Sequence, residues 1–376
     1  MRMLERSTPL VLAALLIGGL SLTLPRSACA DSPAAKPATL EQQIAFLEGA
    51  LSEGLVSQDW KMIEIAVKGF ASSGLKEKDL ELSLLRAERN AALDGMRKFG
   101  SLNPSQIETF GLSVRAQLGD GAAKAKLHGW GFDELTEVKI PDPALWQKQP
   151  AEADKQTKAA QAYQTEVTRR EYALLALALL KEPGVLDKSV ALLQVKPDPV
   201  RGMGMGMGMG NGGDTLVLAA LAADADTGFK KMLALCSDDT QGPAGQTRVL
   251  QALAQLRGLA AAPAASEASF TVRSDIAATL PKDVLTQLNK PYAALIQHWK
   301  PDDKQQFDTT LNTLLSIAYS FPKGTLDKEA LDAILATKDR VVDPQGWMKN
   351  QIVQVLKAHG VDANAAQKPP APPKDF

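Results

Sequence analysis

The chain has 376 residues, of which 45% are hydrophobic, 42 are basic and 43 are acidic, so its net charge is −1. No basic run exceeds two residues, as at Arg169-Arg170 and Lys230-Lys231, which argues against a surface that tracks phosphates and excludes nucleic acid as an expected partner. The length is enough for about two or three compact units, each with a sizeable core.

Residues 1–30 have the features of a secretory signal peptide. Arg2 and Arg6 give a basic start, residues 9–24 are apolar, and Ala28-Cys29-Ala30 supplies small residues for cleavage. Removal would take away three arginines and one glutamate, so the net charge would change from −1 to −3. An uncleaved membrane anchor is the alternative, but the apolar stretch contains two glycines and is short for a span of roughly 20 residues. We therefore expect a periplasmic or secreted protein without a transmembrane span after cleavage.

Cysteine usage points to a fold held together by packing. Removal of Cys29 with the signal leaves Cys236 as the one remaining thiol, so no internal disulfide can form. Cys236 follows Met232 at helical spacing and is expected to face a core. The alternative is a reactive or intermolecular thiol, but no histidine lies near Cys236 in the sequence to lower its pKa.

A first helical block is predicted over 38–200, after a Pro/Ala-rich spacer at 31–37. Its first helix begins with a capping box formed by Thr39 and Gln42, and its second helix begins with Asp59 as the N-cap. Asn103-Pro104 opens the fourth helix, because proline fits the first helical turn. The third helix is marked by apolar spacing and extends from about Lys78 through Leu82, Leu85 and Leu93 to Gly100.

The rest of this block is less regular. Glycines and prolines between His128 and Pro150 interrupt the helical pattern, which predicts an irregular connector. A long helix is expected from about Ala151 to Lys181, and its leucine-rich second half should be buried because it is apolar on most sides. Pro183 then begins a shorter helix.

A Gly-Met run at 201–213 is predicted to be a linker between two blocks. It contains seven glycines between Gly202 and Gly213, so its backbone is free enough to disfavour any regular element. Thioethers are soft donors that suit Cu(I), and alternate side chains of an extended chain point to one side. A copper site is therefore the alternative interpretation of four methionines: Met203, Met205, Met207 and Met209.

A second helical block is predicted over 214–362, with Asp214 as the N-cap of its first helix and a proline-rich tail at 363–376. The expected helices are 227–236, 246–256, 272–279, 282–288, 292–299, 302–319, 328–336 and 344–359. Strands are arguable only for 137–140 and 269–272. The fold class is therefore all-α, with two blocks of antiparallel helical hairpins arranged as an irregular α-solenoid or a bundle. Stop glycines at 74, 100 and 119 show no fixed spacing, so the sequence predicts no regular repeat.

Motifs for catalysis and metal binding are scarce. His128, His298 and His359 are far apart in the sequence, and none belongs to a zinc-binding pair. The chain contains no Gly-x-Ser-x-Gly elbow and no phosphate-binding Gly-x-x-x-x-Gly-Lys-Ser/Thr loop. Asp224 and Asp226 only weakly resemble a calcium loop, and helix capping explains them better.

The sequence therefore favours an exported, non-enzymatic helical protein. We expect it to act as a binding or scaffold component of the cell envelope, with another envelope protein or a cell-wall component as its partner. Two alternatives remain open: a copper-binding protein that uses the Gly-Met run, and an enzyme whose site assembles from distant carboxylates. No cofactor other than copper is expected.

Overall fold

The computed structural model describes residues 39–99, 104–135, 148–194, 213–238, 240, 242–261, 271–300, 309–341 and 346–362. These residues form fifteen α-helices and no β-strand, which confirms the prediction of an all-α fold. Within these ranges, no helix combines the length and hydropathy needed to cross a membrane. The helices are α1 (Leu40–Ser57), α2 (Trp60–Ser72), α3 (Glu77–Phe99), α4 (Pro104–Gln117), α5 (Gly121–Phe132), α6 (Pro150–Leu179), α7 (Val185–Gln194), α8 (Gly213–Ala223), α9 (Ala225–Cys236), α10 (Gly242–Ala261), α11 (Thr271–Thr279), α12 (Val284–His298), α13 (Thr309–Ser320), α14 (Lys328–Arg340) and α15 (Trp347–Ala358).

Side-chain caps begin several helices where the sequence predicts them. The Thr39 hydroxyl accepts a hydrogen bond from the Gln42 N–H at 3.2 Å, and the Gln42 side chain accepts one from the Thr39 N–H at 3.0 Å. Asp59 accepts from the backbone N–H three residues ahead at 3.0 Å. Asp224 accepts from the Thr227 N–H at 2.9 Å, and this bond holds the pKa of Asp224 below its ordinary value. Asp224 is therefore a capping residue of α9.

Helix α5 corrects the predicted connector, because residues 128–132 are helical. Asp120 caps this helix by accepting a hydrogen bond from the Ala123 N–H at 3.0 Å. Gly131 was expected to break the helix, but it lies on the buried side of α5. A Cβ atom at Gly131 would lie only 3.1 Å from the Leu177 side chain. The glycine thus permits the close approach of α5 to α6, and this packing outweighs its low helix propensity.

Helix α12 replaces the two helices that were expected on either side of Pro291. The structure shows one helix with Pro291 inside it. The buried Asn289 side chain donates hydrogen bonds to the carbonyl oxygens of Leu285 and Thr325, at 3.2 and 2.8 Å, and accepts one from the Asp327 N–H at 3.0 Å. These bonds fasten the helix to the loop before α14 at the point where a proline removes a backbone donor.

Smaller corrections concern the starts of two helices. Helix α8 begins at Gly213, so Asp214 lies inside the first turn and is not the N-cap. Thr271 and Val272 are the first residues of α11, which overturns the strand considered for 269–272 at these two positions. The other strand considered, 137–140, lies outside the described residues.

Packing occurs mainly between helices that are close in the sequence. Helix α1 contacts α2 and α3, α4 contacts α5 and α6, and α14 contacts α15. Helix α8 packs on α6 and α7, so helices on the two sides of the Gly-Met run share apolar contacts. Leu174, Leu175 and Leu177 in the second half of α6 are fully buried, as expected. The run itself lies outside the described residues up to position 212, and its linker role stays a prediction.

The turn between α1 and α2 connects the first helices to α11. Gln58 has a left-handed backbone (φ 54°) and closes α1, since its N–H donates to the Gly54 carbonyl oxygen. Its own carbonyl oxygen accepts from the Val272 N–H at 3.0 Å. Nearby, the Lys61 ammonium pairs with Asp275 at 2.7 Å. The start of α11 is thus held against a turn that precedes it by more than 200 residues.

Several helix C-termini are capped by basic side chains from other helices. Lys188 and Arg170 donate to the carbonyl oxygens of Phe132 and Asp133 at the end of α5, at 2.9 and 2.5 Å. The guanidinium of Arg340, in α14, donates to three carbonyl oxygens at the end of α12 at 3.0 to 3.1 Å. Cations are favourable at helix C-termini because they complement the partial negative charge of the last carbonyl groups. These bonds therefore fix the relative positions of the helices that they join.

Candidate functional site

Helix α3 has two apolar sides, and only one of them packs against other helices that the structure describes. Its inner side contains Ser83, Leu84, Ala87 and Ala91, which are all buried. This side contacts α1 and α4. Small residues on the inner side allow these helices to lie close to α3.

The outer side of α3 exposes large apolar residues. At 100° per residue, they fall within an arc of about 80°, opposite the inner side. Half of the eight large apolar side chains that are exposed in the described part of the chain lie on this one helix. We call this surface the α3 face; its apolar members and their exposed fractions are Leu82 (47%), Leu85 (49%), Leu93 (45%) and Met96 (63%).

The acidic residues along one edge of the α3 face are already paired. Arg115 of α4 donates to Glu81 at 3.0 Å and also to Glu88. Burial alone would lower the pKa of Arg115, but the hydrogen bonds to the two carboxylates outweigh this effect and raise it. Gly111 leaves room for the Glu88 carboxyl group. These two carboxylates therefore hold α4 against α3 and contribute little free negative charge to the face.

The remaining charge on the α3 face is basic. Arg89 lies in the middle of the arc and forms no ion pair with any residue that the structure describes. Arg86 and Arg97 follow the opposite edge, where they approach Glu48 at 3.4 Å and Asp94 at 3.7 Å. Such exposed pairs are weak. The face thus combines apolar side chains with a central guanidinium that has no ion-pair partner in the described part of the chain.

A shallow groove between α1 and α3 adjoins the α3 face. Leu93 and Asp94 line it from α3, and Gly49, Ser52 and Glu53 line it from α1. A Cβ atom added at Gly49 would meet nothing within 4 Å. The groove is therefore open to solvent beside Leu93.

The larger of the two clefts, of about 320 Å³, lies between α5 and α6. Its centre is Trp130, whose ring centroid is 4.7 Å from the Lys126 ammonium and 4.8 Å from the Arg169 guanidinium. Glu108 approaches both cations, at 3.4 and 3.7 Å, and Glu166 pairs with Arg169. Both cations at this cleft are thus paired with carboxylates, and Glu108, Lys126 and Arg169 form an ionic junction between three helices.

None of the described histidines and neither Asp224 nor Cys236 lines the groove or the cleft. Met203, Met205, Met207 and Met209 lie outside the described residues, so the structure does not test the copper site. Within the described ranges, no group of three His, Cys, Asp or Glu side chains is arranged to hold a metal ion.

The histidines and the thiol occupy separate positions. His128 stacks on Phe132 with ring centroids 4.4 Å apart, and His298 ends α12. His359 is the C-cap of α15, and its Nε2 lies 3.0 Å from the Ala318 carbonyl oxygen. Cys236 is buried, as predicted, and burial raises the pKa of its thiol to about 12.

Sequence reasoning did not identify the α3 face as a site, although a signal is present. On a helical wheel, Leu82, Leu85, Leu93 and Met96 fall on the arc opposite Leu84, Ala87 and Ala91, so one packed side cannot bury both sets. Comparison of the chain with protein-family models, with curated proteins and with solved structures finds no match.

Proposed function

We propose that the chain is an exported, non-enzymatic helical protein that binds another protein of the cell envelope through the α3 face. One observation supports this proposal most: four large apolar side chains are exposed on one side of α3, opposite the side that the fold uses for packing. Exposed apolar surfaces of this kind favour protein binding, because burying them in a partner removes apolar area from water. The envelope location comes from the signal-like residues 1–30.

Photo-crosslinking in cells tests the binding role. A photoreactive amino acid is placed at Leu85 or at Met96, and at Lys230 on the exposed side of α9 as the matched control. We expect Leu85 and Met96 to capture the same envelope protein and Lys230 not to capture it. That protein is then purified, and its affinity is measured for the wild type and for Leu85→Gln combined with Met96→Gln. Identical capture from all three positions, or an affinity unchanged by the double substitution, would refute the proposal.

The location requires its own measurement. Cell fractionation followed by N-terminal sequencing should recover a periplasmic or secreted protein that begins at Asp31. An intact N-terminus on protein from the cytoplasm would contradict the envelope assignment without affecting the binding surface.

A further inference from the structure

We infer that the partner of the α3 face is an amphipathic helix with a carboxylate side chain that lies opposite Arg89. This inference rests on the proposed function, because it names the chemistry of the partner at the same surface. It follows from the shape of the surface, from its length and from the distribution of its charges.

The shape favours a helix. The four apolar side chains extend from Leu82 to Met96, which spans about 21 Å of helix at 1.5 Å per residue. They form a narrow stripe, and the groove lined by Leu93 and Gly49 deepens the surface on the α1 side. An amphipathic helix of about four turns can lay its own apolar stripe along such a surface.

The charges disfavour a second copy of this chain. Arg89 is seven residues from Leu82 and seven from Met96, so it lies at the centre of the stripe. In a two-fold pairing centred on the stripe, the central residue of one copy meets the same residue of the other. Two guanidinium groups would then face each other between apolar side chains, and like charges in contact oppose association. Glu81 and Glu88 already pair with Arg115, so they offset this repulsion less than unpaired carboxylates would.

The same charges favour an acidic partner. Arg89 has no carboxylate partner among the described residues, whereas Arg86 and Arg97 form exposed ion pairs with Glu48 at 3.4 Å and with Asp94 at 3.7 Å. A glutamate on the partner helix, placed between two apolar residues, would pair with Arg89 as the surrounding side chains exclude water. Charge-assisted hydrogen bonds of this kind fix register and partner choice.

An anionic membrane surface is the other ligand with which a basic, apolar helix face is compatible. The structure argues against it here, because Glu48 and Asp94 lie beside Arg86 and Arg97, at 3.4 and 3.7 Å. Their negative charge would offset the attraction of the arginines for a flat anionic surface. A peptide helix, unlike a membrane surface, would contact only the residues of the α3 face that its apolar side covers.

The experiment uses two designed peptides of about 18 residues, or five helical turns. Both carry leucines at helical spacing on one side; one has glutamate at the centre of this stripe and the other has lysine. Fluorescence anisotropy measures their affinities for the whole chain without residues 1–30. We expect the glutamate peptide to bind at least about tenfold more tightly.

Charge reversal gives the internal control. Arg89→Glu should reverse the preference between the two peptides, whereas Lys68→Glu, an equal change of charge at an exposed position on α2, should leave it unchanged. Equal affinities for the two peptides, or a preference that survives Arg89→Glu, would overturn the inference. Binding to phosphatidylglycerol vesicles that is lost on Arg89→Glu would also overturn it, in favour of a membrane surface.

The two proposals fail in different ways. If Leu85 captures an envelope protein that contacts the face without an acidic helix, the inference is wrong and the proposed function stands. If neither peptide binds and no captured protein depends on Leu85 and Met96, both are wrong.

Discussion

Leu84 and Leu85 are consecutive leucines on α3 whose replacement by alanine should have very different consequences. Leu84 is 3% exposed and lies on the inner side, whereas Leu85 is 49% exposed and lies on the α3 face. Replacement of a buried leucine by alanine loses the transfer free energy of the side chain and leaves a cavity, at a total cost of about 2 to 5 kcal/mol. We expect Leu84→Ala to lower the free energy of unfolding by about 3 kcal/mol.

Leu85→Ala should lower the free energy of unfolding much less. About half of the Leu85 side chain already contacts water, so only part of its transfer free energy of roughly 1.5 to 3 kcal/mol is gained on folding. No closed cavity forms, and alanine has the higher helix propensity by a few tenths of a kcal/mol. The expected loss is about 0.5 to 1 kcal/mol.

Equilibrium urea unfolding of both variants, followed by far-UV circular dichroism, measures the difference. We expect the urea concentration at the midpoint of unfolding to decrease clearly in Leu84→Ala and slightly in Leu85→Ala. The dependence of the free energy of unfolding on urea concentration should be the same in both variants and the wild type. If Leu85→Ala were as destabilising as Leu84→Ala, some part of the chain would cover the α3 face in the native protein. The face would then be a structural contact, and the proposed function would lose its main support.

Three further predictions test packing, the buried thiol and the Gly-Met run. Gly228→Ala would place a Cβ atom 2.6 Å from the Ala220 carbonyl oxygen, so we expect overpacking to lower the free energy of unfolding by about 1 to 3 kcal/mol. A Cβ atom at Gly49 would meet nothing within 4 Å, so Gly49→Ala should raise the free energy of unfolding by about 0.5 to 1 kcal/mol in the same urea assay. Equal effects would mean that α8 and α9 are not in close contact. Burial raises the pKa of Cys236 from 9.0 to about 12, so between these pH values the native thiol stays protonated while the unfolded thiol ionises. The free energy of unfolding should therefore fall as the pH rises from 9.0 to about 12, and it should fall less in Cys236→Ala. A thiol reagent that labels Cys236 before urea unfolds the protein would contradict this burial. For the copper hypothesis, Cu(I) is titrated into residues 31–376 and into a variant with all four run methionines replaced by leucine; tighter binding by the unchanged run would support it, and equal affinity would exclude it.

Local signals in the sequence predict much of the fold because they act over a few residues. The Thr39–Gln42 capping box, the Asp59 cap and the leucine-rich half of α6 appear in the structure as expected. Each depends on hydrogen bonds or apolar spacing within one helix. The all-α class follows from the same signals.

The errors occur where a distant contact decides the outcome. Gly131 breaks the helical pattern in the sequence, but close packing on Leu177 makes a small residue favourable there. Two helices were predicted on either side of Pro291, but the structure has one continuous helix there. The Asn289 side chain forms hydrogen bonds from this helix to the loop before α14. Arg340 caps α12 from another helix, which no rule based on the last turn of α12 itself could indicate. These interactions join residues that are far apart in the chain, and a single sequence does not show them.

Helix α3 shows why the candidate site is also hard to find from sequence alone. Apolar spacing predicts a helix but does not indicate which side of the helix is packed. From the sequence alone, the side with the most large apolar residues would be assigned to the core. In α3 the opposite holds, because the neighbouring helices pack against Ala87 and Ala91 while Leu82 and Leu85 remain half exposed. Packing among the described residues thus leaves these large outer side chains about half exposed. Because a half-exposed leucine gains only part of its transfer free energy on folding, a bound partner would bury the remainder, and this is the physical basis of the proposed binding surface.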